Sequence, residues 1–197
     1  MDLSKKAIKD IITKQFPVLG KEEIKLFLSI SEYSWAKSKK LLLKGGSNSK
    51  QVLLILKGSA RAFMIDKSGQ DLNNYLRTEG NLIADARVFG NETQILSVES
   101  VSEIHYLKFD IEQLEQLGYK NKKLMEFYLN FLKEIILALS HRVNTFVSMT
   151  AKERYDDLKK WNPLYLHSTY DKHIASFLGI TPLTLHRIKK NKIKPIK

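Results

Sequence analysis

The 197-residue sequence contains no cysteine and no long apolar run. Without cysteine the chain forms no disulfide, holds no thiolate-ligated iron–sulfur cluster or cysteine-rich zinc site, and cannot sense redox state through a thiol. No stretch approaches the roughly 20 apolar residues that span a bilayer. The N-terminal segment MDLSKKAIKDIITKQF has charges between its apolar positions, so it lacks the continuous apolar region of a signal peptide. These absences favour a cytoplasmic protein that does not enter a membrane.

Signatures of catalysis and of metal binding are also missing. The five histidines form no HExxH motif and no close pair with a carboxylate at ligand spacing. The sequence has no nucleophile elbow, no P-loop and no GxGxxG motif. We therefore expect a protein that is not an enzyme and that holds no metal.

Positive charge is plentiful and unevenly distributed. The formal net charge is +12, and residues 151–197 contribute +7 of it, with 11 basic against 4 acidic side chains. Clustered lysine and arginine gain free energy by releasing counterions from nucleic acid, so the C-terminal segment is the expected contact with a polyanion. A merely solvated basic tail is the alternative.

Within the first two thirds of the chain, the spacing of apolar residues changes from a helical pattern to a strand pattern. Residues 3–16 and 21–31 have the apolar spacing of two short amphipathic helices, separated by Pro17 and Gly20. Residues 33–109 consist of short apolar runs between turns, which is typical of an antiparallel sandwich or barrel. Residues 67–69 (KSG) are predicted to form a hairpin turn between two of these runs.

From Asn121 the pattern predicts one long helix with two apolar rows. The first row has heptad spacing, and the second runs beside it, so the helix offers more apolar surface than one contact can bury. One row can pack on the chain's own barrel and the other on a second copy; the alternative is burial on both sides within one monomer. The first row comprises Met125, Leu129, Leu132, Ile136, Leu139, Val143 and Phe146, and the second Leu124, Tyr128, Phe131 and Ile135. The residues predicted for a dimer interface are Leu124, Tyr128, Phe131, Leu132, Ile135 and Leu139.

The basic C-terminal segment carries a helix-turn-helix pattern. Thr150 and Glu153 form a capping box that opens a helix running to about Trp161. A helix over 173–178, a turn at Gly179 and a helix from Pro182 follow, with proline at the first helical position. The inward residues are Ile174, Ala175, Leu178, Ile180, Leu185 and Ile188, and the outward residues are Thr181, Leu183, Thr184, His186, Arg187 and Lys190. A helical hairpin with a solvated face is the alternative.

Three segments of the sequence resemble the Crp/Fnr family of dimeric bacterial transcription regulators, and more narrowly its divergent branch common in Bacteroidetes. They are KKLLLKGGSNSKQVLLILKGSARAFMIDKSGQ, EGNLIADARVF, and TAKERYDDLKKWNP followed by HIASFLGITPLTLHRIKK. The resemblance implies an α+β fold with a β-roll sensor over 1–120, a dimerising helix over 121–149 and a helix-turn-helix domain over 150–197. It also implies that a small effector in the roll sets the orientation of the recognition helices.

The expected effector site departs from the family's cyclic-nucleotide pattern. A Gly-Glu pair that holds the ribose corresponds to Ala84 and Asp85, and an Arg-Ser pair that holds the cyclic phosphate falls near Glu92 and Thr93. An acidic side chain repels a phosphate, so we expect no useful affinity for cyclic AMP and an effector of unknown identity. The residues predicted for this site are Ala84, Asp85, Ala86, Arg87, Glu92 and Thr93.

The DNA-binding end also departs from the pattern. The arginine and glutamate with which family members read bases correspond to Pro182 and Leu183, whereas Arg187 matches the family's arginine. Base reading is therefore expected to shift to Thr184, His186 and Arg187. Non-specific contacts with phosphates are expected from Lys189, Lys190, Lys192 and Lys194.

The sequence thus predicts a homodimeric, sequence-specific DNA-binding regulator. Its expected partners are a palindromic DNA operator, a second copy of the chain and RNA polymerase. The alternative is a ligand-binding or protein-binding regulatory module that has lost sequence-specific DNA binding. The operator, the effector and the choice between activation and repression stay open.

Overall fold

The computed structural model describes residues 2–90, 92–161 and 163–191. Within these ranges the chain forms eight α-helices, eight strands and one short 3₁₀ turn over Ala86–Phe89. The helices are α1 (Lys5–Gln15), α2 (Lys21–Ser29), α3 (Ile111–Lys120), α4 (Lys122–Ser148), α5 (Ala151–Trp161), α6 (Pro163–Ser168), α7 (Asp171–Phe177) and α8 (Pro182–Asn191). The strands are β1 (Ser31–Ala36), β2 (Leu41–Leu43), β3 (Gln51–Lys57), β4 (Ser59–Ile65), β5 (Asp71–Thr78), β6 (Leu82–Ile83), β7 (Ser97–Ser100) and β8 (Ile104–Asp110).

The strands form two antiparallel sheets that pack against each other. One sheet has the order β1-β8-β3-β6 and the other has the order β2-β7-β4-β5. Strands β4 and β5 join at the predicted hairpin turn, where Gly69 has a φ of +82° and its N–H donates to the Asp66 carbonyl. Since the strands are followed by helices and all pair antiparallel, the predicted α+β roll is confirmed.

Strand β3, with the sequence QVLLILK, is apolar on both of its faces and shows no alternation with polar residues. Leu53 and Ile55 face the second sheet and are fully buried between the two sheets. Val52 and Leu54 on the other face pack against the helices, so both faces of the strand are covered. A strand buried on both sides is expected to be apolar throughout.

The long helix α4 begins where Asn121 caps it. The Asn121 side chain accepts hydrogen bonds from the backbone N–H groups of Lys123 and Leu124, at 3.0 and 3.1 Å. Its 27 residues span about 40 Å, at 1.5 Å per residue. Phe127 and Phe131 lie 4.5 Å apart, edge to face, in a cluster of aromatic rings against the N-terminal helices. None of the described helices combines the length and the apolar character needed to cross a membrane.

The C-terminal helices form a third core of their own. The predicted capping box at α5 is present, because the Thr150 N–H and hydroxyl both donate to the Glu153 carboxylate at 2.8 Å. The sequence pattern ends the preceding helix at about Trp161 and predicts no further helix before residue 173, whereas the structure has a short helix, α6, that begins at Pro163. This core comprises Leu76, Tyr155, Leu158, Tyr165, Ile174, Ala175, Leu178 and Leu185. Because Leu76 belongs to β5, the helical segment packs directly on the roll.

Candidate nucleic-acid interface and effector cavities

Helices α7 and α8 form the predicted helix-turn-helix. Gly179 lies in the turn with a φ of +64°, and the Ile180 N–H behind it donates to the Ala175 carbonyl at 3.0 Å, which closes the end of α7. Thr181 caps α8 by accepting a hydrogen bond from the Thr184 N–H at 3.1 Å. The predicted inward side chains are buried or half-buried, so the helix packs by the face that the sequence indicates.

The outer face of α8 is polar and basic, with one large apolar side chain. Leu183 is 59% exposed near the start of the helix. Thr184 is half-buried, and its hydroxyl lies 2.9 Å from the Thr181 hydroxyl, so it is already engaged by the cap. The remaining exposed residues of this face are Thr181, His186, Arg187 and Lys190.

Lysine 189 differs from its neighbours. Its ammonium forms an ion pair with the Asp171 carboxylate at the start of α7, and its side chain is only 34% exposed. Because Lys189 is paired with a carboxylate of its own chain, it is less available to a DNA phosphate than Lys190. Lys190 forms no such ion pair among the described residues. Lys192 and Lys194, also predicted as phosphate contacts, lie outside the described residues.

The roll contains a largely apolar cavity at the predicted effector site, which we call the roll cavity. Ala84, Asp85 and Ala86 lie on its wall, together with Tyr75 and Arg77 of β5. Apolar side chains make up the rest of the wall: Val52, Leu82, Ile83, Val88, Phe89 and Ile135. The cavity therefore lies between the roll and α4, and Arg77 is the cation on its wall.

Asp85 is buried, and its carboxylate is occupied by the backbone of its own loop. It accepts hydrogen bonds from the N–H groups of Ile95 at 2.7 Å, Leu96 at 2.8 Å and Arg87 at 3.0 Å. The carboxylate that the resemblance assigns to a ribose thus closes the loop in this structure.

Three residues predicted for the effector site, Arg87, Glu92 and Thr93, do not line the roll cavity. The Arg87 guanidinium lies 3.5 Å from the Glu92 carboxylate and donates to the Thr93 carbonyl at 3.2 Å. The Thr93 hydroxyl donates to the Asn48 side chain at 2.8 Å. These side chains satisfy one another at the surface, so the shortened loop turns its charged groups away from the cavity.

The two apolar rows of α4 have different surroundings. Leu124, Tyr128 and Phe131 are buried against the chain's own roll, so their assignment to a dimer interface is wrong. Leu132 packs partly on the same core, Ile135 lines the roll cavity and Leu139 is half-buried. The exposed row, which we call the free face of α4, comprises Leu129, Ile136, Leu137, Val143 and Val147, each at least 43% exposed.

Helix α7 is fixed to strand β5 by a polar contact that the sequence did not reveal, here called the roll contact. The backbone N–H of Asn73 donates to the Ser176 hydroxyl at 2.8 Å, and its side-chain amide donates to the His173 carbonyl at 3.1 Å. Beneath it the buried Arg61 pairs with Asp71 at 2.5 Å and with Glu99 at 3.0 Å. These residues lie about 100 positions from α7 in sequence, and no local motif signals the contact.

A second cavity lies where β5, α4, α5 and α7 meet, and we call it the hinge cavity. Three arginines, none of which sequence analysis selected, line it: Arg77, Arg142 and Arg154. His141 and Asp157 form a 2.7 Å hydrogen bond on its wall, and the His141 ring stacks on Trp161. Within the described parts of the chain, no group of three histidine, aspartate or glutamate side chains is placed to hold a metal ion.

Comparisons with known proteins bear on the fold. No family model and no curated protein matches the sequence. Many solved structures match the three-dimensional structure, among them a variant of CooA from Carboxydothermus hydrogenoformans, with a TM-score of 0.68, 14% identity and coverage of 84% of this chain and 77% of that chain.

Two further matches are regulators by their descriptions. CLP of Xanthomonas campestris, a c-di-GMP responsive global regulator, has a TM-score of 0.67 at 14% identity, over 86% of this chain and 89% of that chain. The catabolite activator protein of Thermus thermophilus has a TM-score of 0.55 at 16% identity, over 93% and 90%. These three proteins are Crp/Fnr regulators, so the fold that the resemblance implied is confirmed.

Proposed function

We propose that the protein is a homodimeric transcription regulator that reads DNA with α8 and is not an enzyme. The observation that carries this proposal is the two-sided character of α8. Its inner side, with Leu185 fully buried, is locked onto α7, while Arg187, His186 and Lys190 project outward. An outer face of this kind supplies bidentate and phosphate contacts in the major groove.

The free face of α4 supports the dimer. Leu129, Ile136 and Val143 recur every seven residues and are 43%, 63% and 61% exposed. Exposed apolar rows at heptad spacing are covered in solution by a second helix of the same kind. A second copy of α4 is the proposed occupant, since two-fold pairing of α4 also presents two α8 helices to half-sites about 34 Å apart.

The roll cavity supports an effector other than cyclic AMP. The Asp85 carboxylate accepts hydrogen bonds from the backbone N–H groups of its own loop, and the Arg87 guanidinium lies near Glu92 and not in the cavity. Neither the ribose contact nor the phosphate contact of the family's pattern is therefore in place. A submicromolar Kd for cyclic AMP by calorimetry would contradict this part of the proposal.

The test is selection of bound sequences from a random DNA pool at two salt concentrations. The native chain is expected to enrich a palindrome, and its affinity should fall steeply with salt. Arg187→Gln should lose about 1 to 3 kcal/mol of discrimination at one base pair of each half-site. Lys25→Gln on α2 removes the same charge from an exposed position of the roll and should leave the palindrome unchanged.

A second variant tests the dimer in the same assay. Ile136→Asp on the free face should reduce the sedimenting mass from twice 22.8 kDa to 22.8 kDa and abolish enrichment of two-fold sites. Ile65→Asp, at a comparably exposed position on β4, is the control. Salt-sensitive DNA binding without any enriched motif would favour a regulatory module that lacks sequence-specific DNA binding.

A further inference from the structure

Arg142 is a half-buried cation without an anionic partner among the described residues. Its Nη1 atom is buried and makes no hydrogen bond. No described carboxylate lies within 4 Å of the guanidinium of Arg142, Arg77 or Arg154. Burial lowers the pKa of Arg142 to about 10, so the side chain is still charged at neutral pH. A buried charge is costly unless it is paired, and here the pairing is incomplete.

The groups around Arg142 are aromatic rings, phenols and a second cation. Its guanidinium lies 4.1 Å from the centre of the Phe177 ring and 4.9 Å from that of Phe146. The charged or ionisable groups that act on it are Tyr75, Arg77 and Tyr165. The rings stabilise the cation by cation–π attraction but accept no hydrogen bond in the plane of the guanidinium.

The two neighbouring arginines donate their hydrogen bonds to neutral groups, although Arg77 also lies near Glu134, whose pKa is raised by burial and lowered by the Arg77 charge. Arg154 donates to the carbonyls of Leu178 and Met149 at 3.0 and 2.8 Å, and Arg77 donates to the Tyr165 hydroxyl at 3.1 Å. The described wall thus carries three arginines, and its one carboxylate, that of Asp157, is hydrogen-bonded to His141 at 2.7 Å and not to an arginine.

We propose that the hinge cavity binds a small organic oxyanion, with its carboxylate or phosphate group against Arg142. The cavity volume is about 30 Å³, which accommodates about two water-sized atoms and hence the oxygens of one acidic group. The rest of the molecule has room in an adjoining groove of about 460 Å³ that shares Arg77, His141 and Trp161 with the cavity. The wall of this groove also carries Glu134, so the part of the ligand that lies there is expected to be uncharged or to donate hydrogen bonds.

The consequence for regulation rests on the proposed function. The wall combines β5 of the roll, the dimerising helix α4, and α5 and α7 of the DNA-binding segment. An oxyanion bound to Arg142 therefore ties the roll and α4 to the helices that position α8. This site is separate from the roll cavity, although Tyr75 and Arg77 lie on the walls of both.

The test is thermal unfolding without DNA, at constant ionic strength, with inorganic phosphate or succinate replacing chloride. The native protein should gain about 3 to 6 °C in Tm at ten times the Kd. Arg142→Met should lose this gain, and Arg142→Lys, which keeps the charge, should retain part of it. Arg187→Gln should respond as the native protein does, which separates the hinge cavity from phosphate binding on α8.

Several results would overturn the proposal. They are no saturable gain with either anion in the native protein, an unchanged gain in Arg142→Met, and loss of the gain in Arg187→Gln alone. A gain with phosphate but not succinate, or the reverse, supports the site and identifies its acidic group. Because these measurements contain no DNA, failure to enrich an operator would contradict the proposed function and leave the anion site standing.

Discussion

The roll contact and the hinge cavity both join the DNA-binding segment to the rest of the chain, and each contains an arginine, which is buried in the first and half-buried in the second. Arg61 in the roll contact has Asp71 at 2.5 Å and Glu99 at 3.0 Å. Arg142 in the hinge cavity has aromatic rings and no described carboxylate within 4 Å. The fold therefore supplies carboxylate partners for the arginine in the roll contact and supplies none for the arginine in the hinge cavity. Arg61 is therefore expected to stabilise the folded chain, whereas Arg142 is the side chain for which we propose a bound anion.

The largest expected effect comes from replacing each arginine with methionine. Arg61→Met should lower the free energy of unfolding by about 3 kcal/mol, because it removes a buried cation and leaves the partly exposed carboxylates of Asp71 and Glu99 without their partner. Arg142→Met should change it by less than about 1 kcal/mol or increase it, since it removes a half-buried charge that has no carboxylate partner. Urea unfolding of the three proteins measures both values. Equal destabilisation by the two substitutions would show that the Arg142 charge is already compensated.

A smaller effect is expected at the turn between α7 and α8, which borders the hinge cavity. Gly179 has a φ of +64°, and a Cβ there would lie 2.7 Å from the Phe146 ring. Gly179→Ala should therefore cost about 2 to 3 kcal/mol, through backbone strain and displacement of the ring.

Gly69→Ala is the matched control for this substitution. Gly69 also has a positive φ, of +82°, but a Cβ there would have no atom within 4 Å, so only the backbone strain of about 1 kcal/mol remains. Thermal unfolding compares the two variants. If the two substitutions lower the stability equally, the Phe146 ring moves aside without a measurable loss of stability, and the turn is not tightly packed against α4.

Local signals in the sequence were sufficient for the helix-turn-helix. Gly179, Thr181 and Pro182 specify the turn and the start of α8 through their own backbone preferences, and the structure has both where the pattern indicates. The long helix was equally predictable, because its period is visible within one segment. Its orientation was not, since both rows are apolar. The choice depends on Phe16 and Phe27, which pack on Phe127 from distant helices.

The contacts within the predicted effector site could not be read from the sequence, for a related reason. Sequence position places Asp85 beside Arg87, but its function in the structure is decided by the backbone N–H groups of Ile95 and Leu96, which the loop brings back to it. The hinge cavity left no sequence signal at all, because Arg77, Arg142 and Arg154 meet only after four elements have packed. Which partner a charged side chain has, or whether it has one, is therefore decided only when distant segments pack together.

The smallest of the three expected effects concerns pH and the roll contact. Burial, together with the charge of Arg61, lowers the pKa of His173 to about 4. The other charged groups that act on this ring are Lys172, Asp71 and Glu99. In the unfolded chain a histidine has a pKa near 6.5, so between about pH 6.5 and pH 4 the unfolded state binds the proton that the folded state excludes. The contribution of neutral His173 is thus complete above about pH 6.5 and declines as the pH falls toward 4.

The difference between the native protein and His173→Gln isolates this contribution. From pH 7 to pH 5 the native protein should lose about 2 kcal/mol more stability than the variant, because glutamine does not titrate. His167→Gln, at an exposed position on α6, should follow the native curve. Urea unfolding at several pH values measures the three curves. Parallel curves for native protein and His173→Gln would mean that the ring is protonated inside the folded roll contact, next to Arg61. The pairing that distinguishes this contact from the hinge cavity would then have to accommodate a second cation.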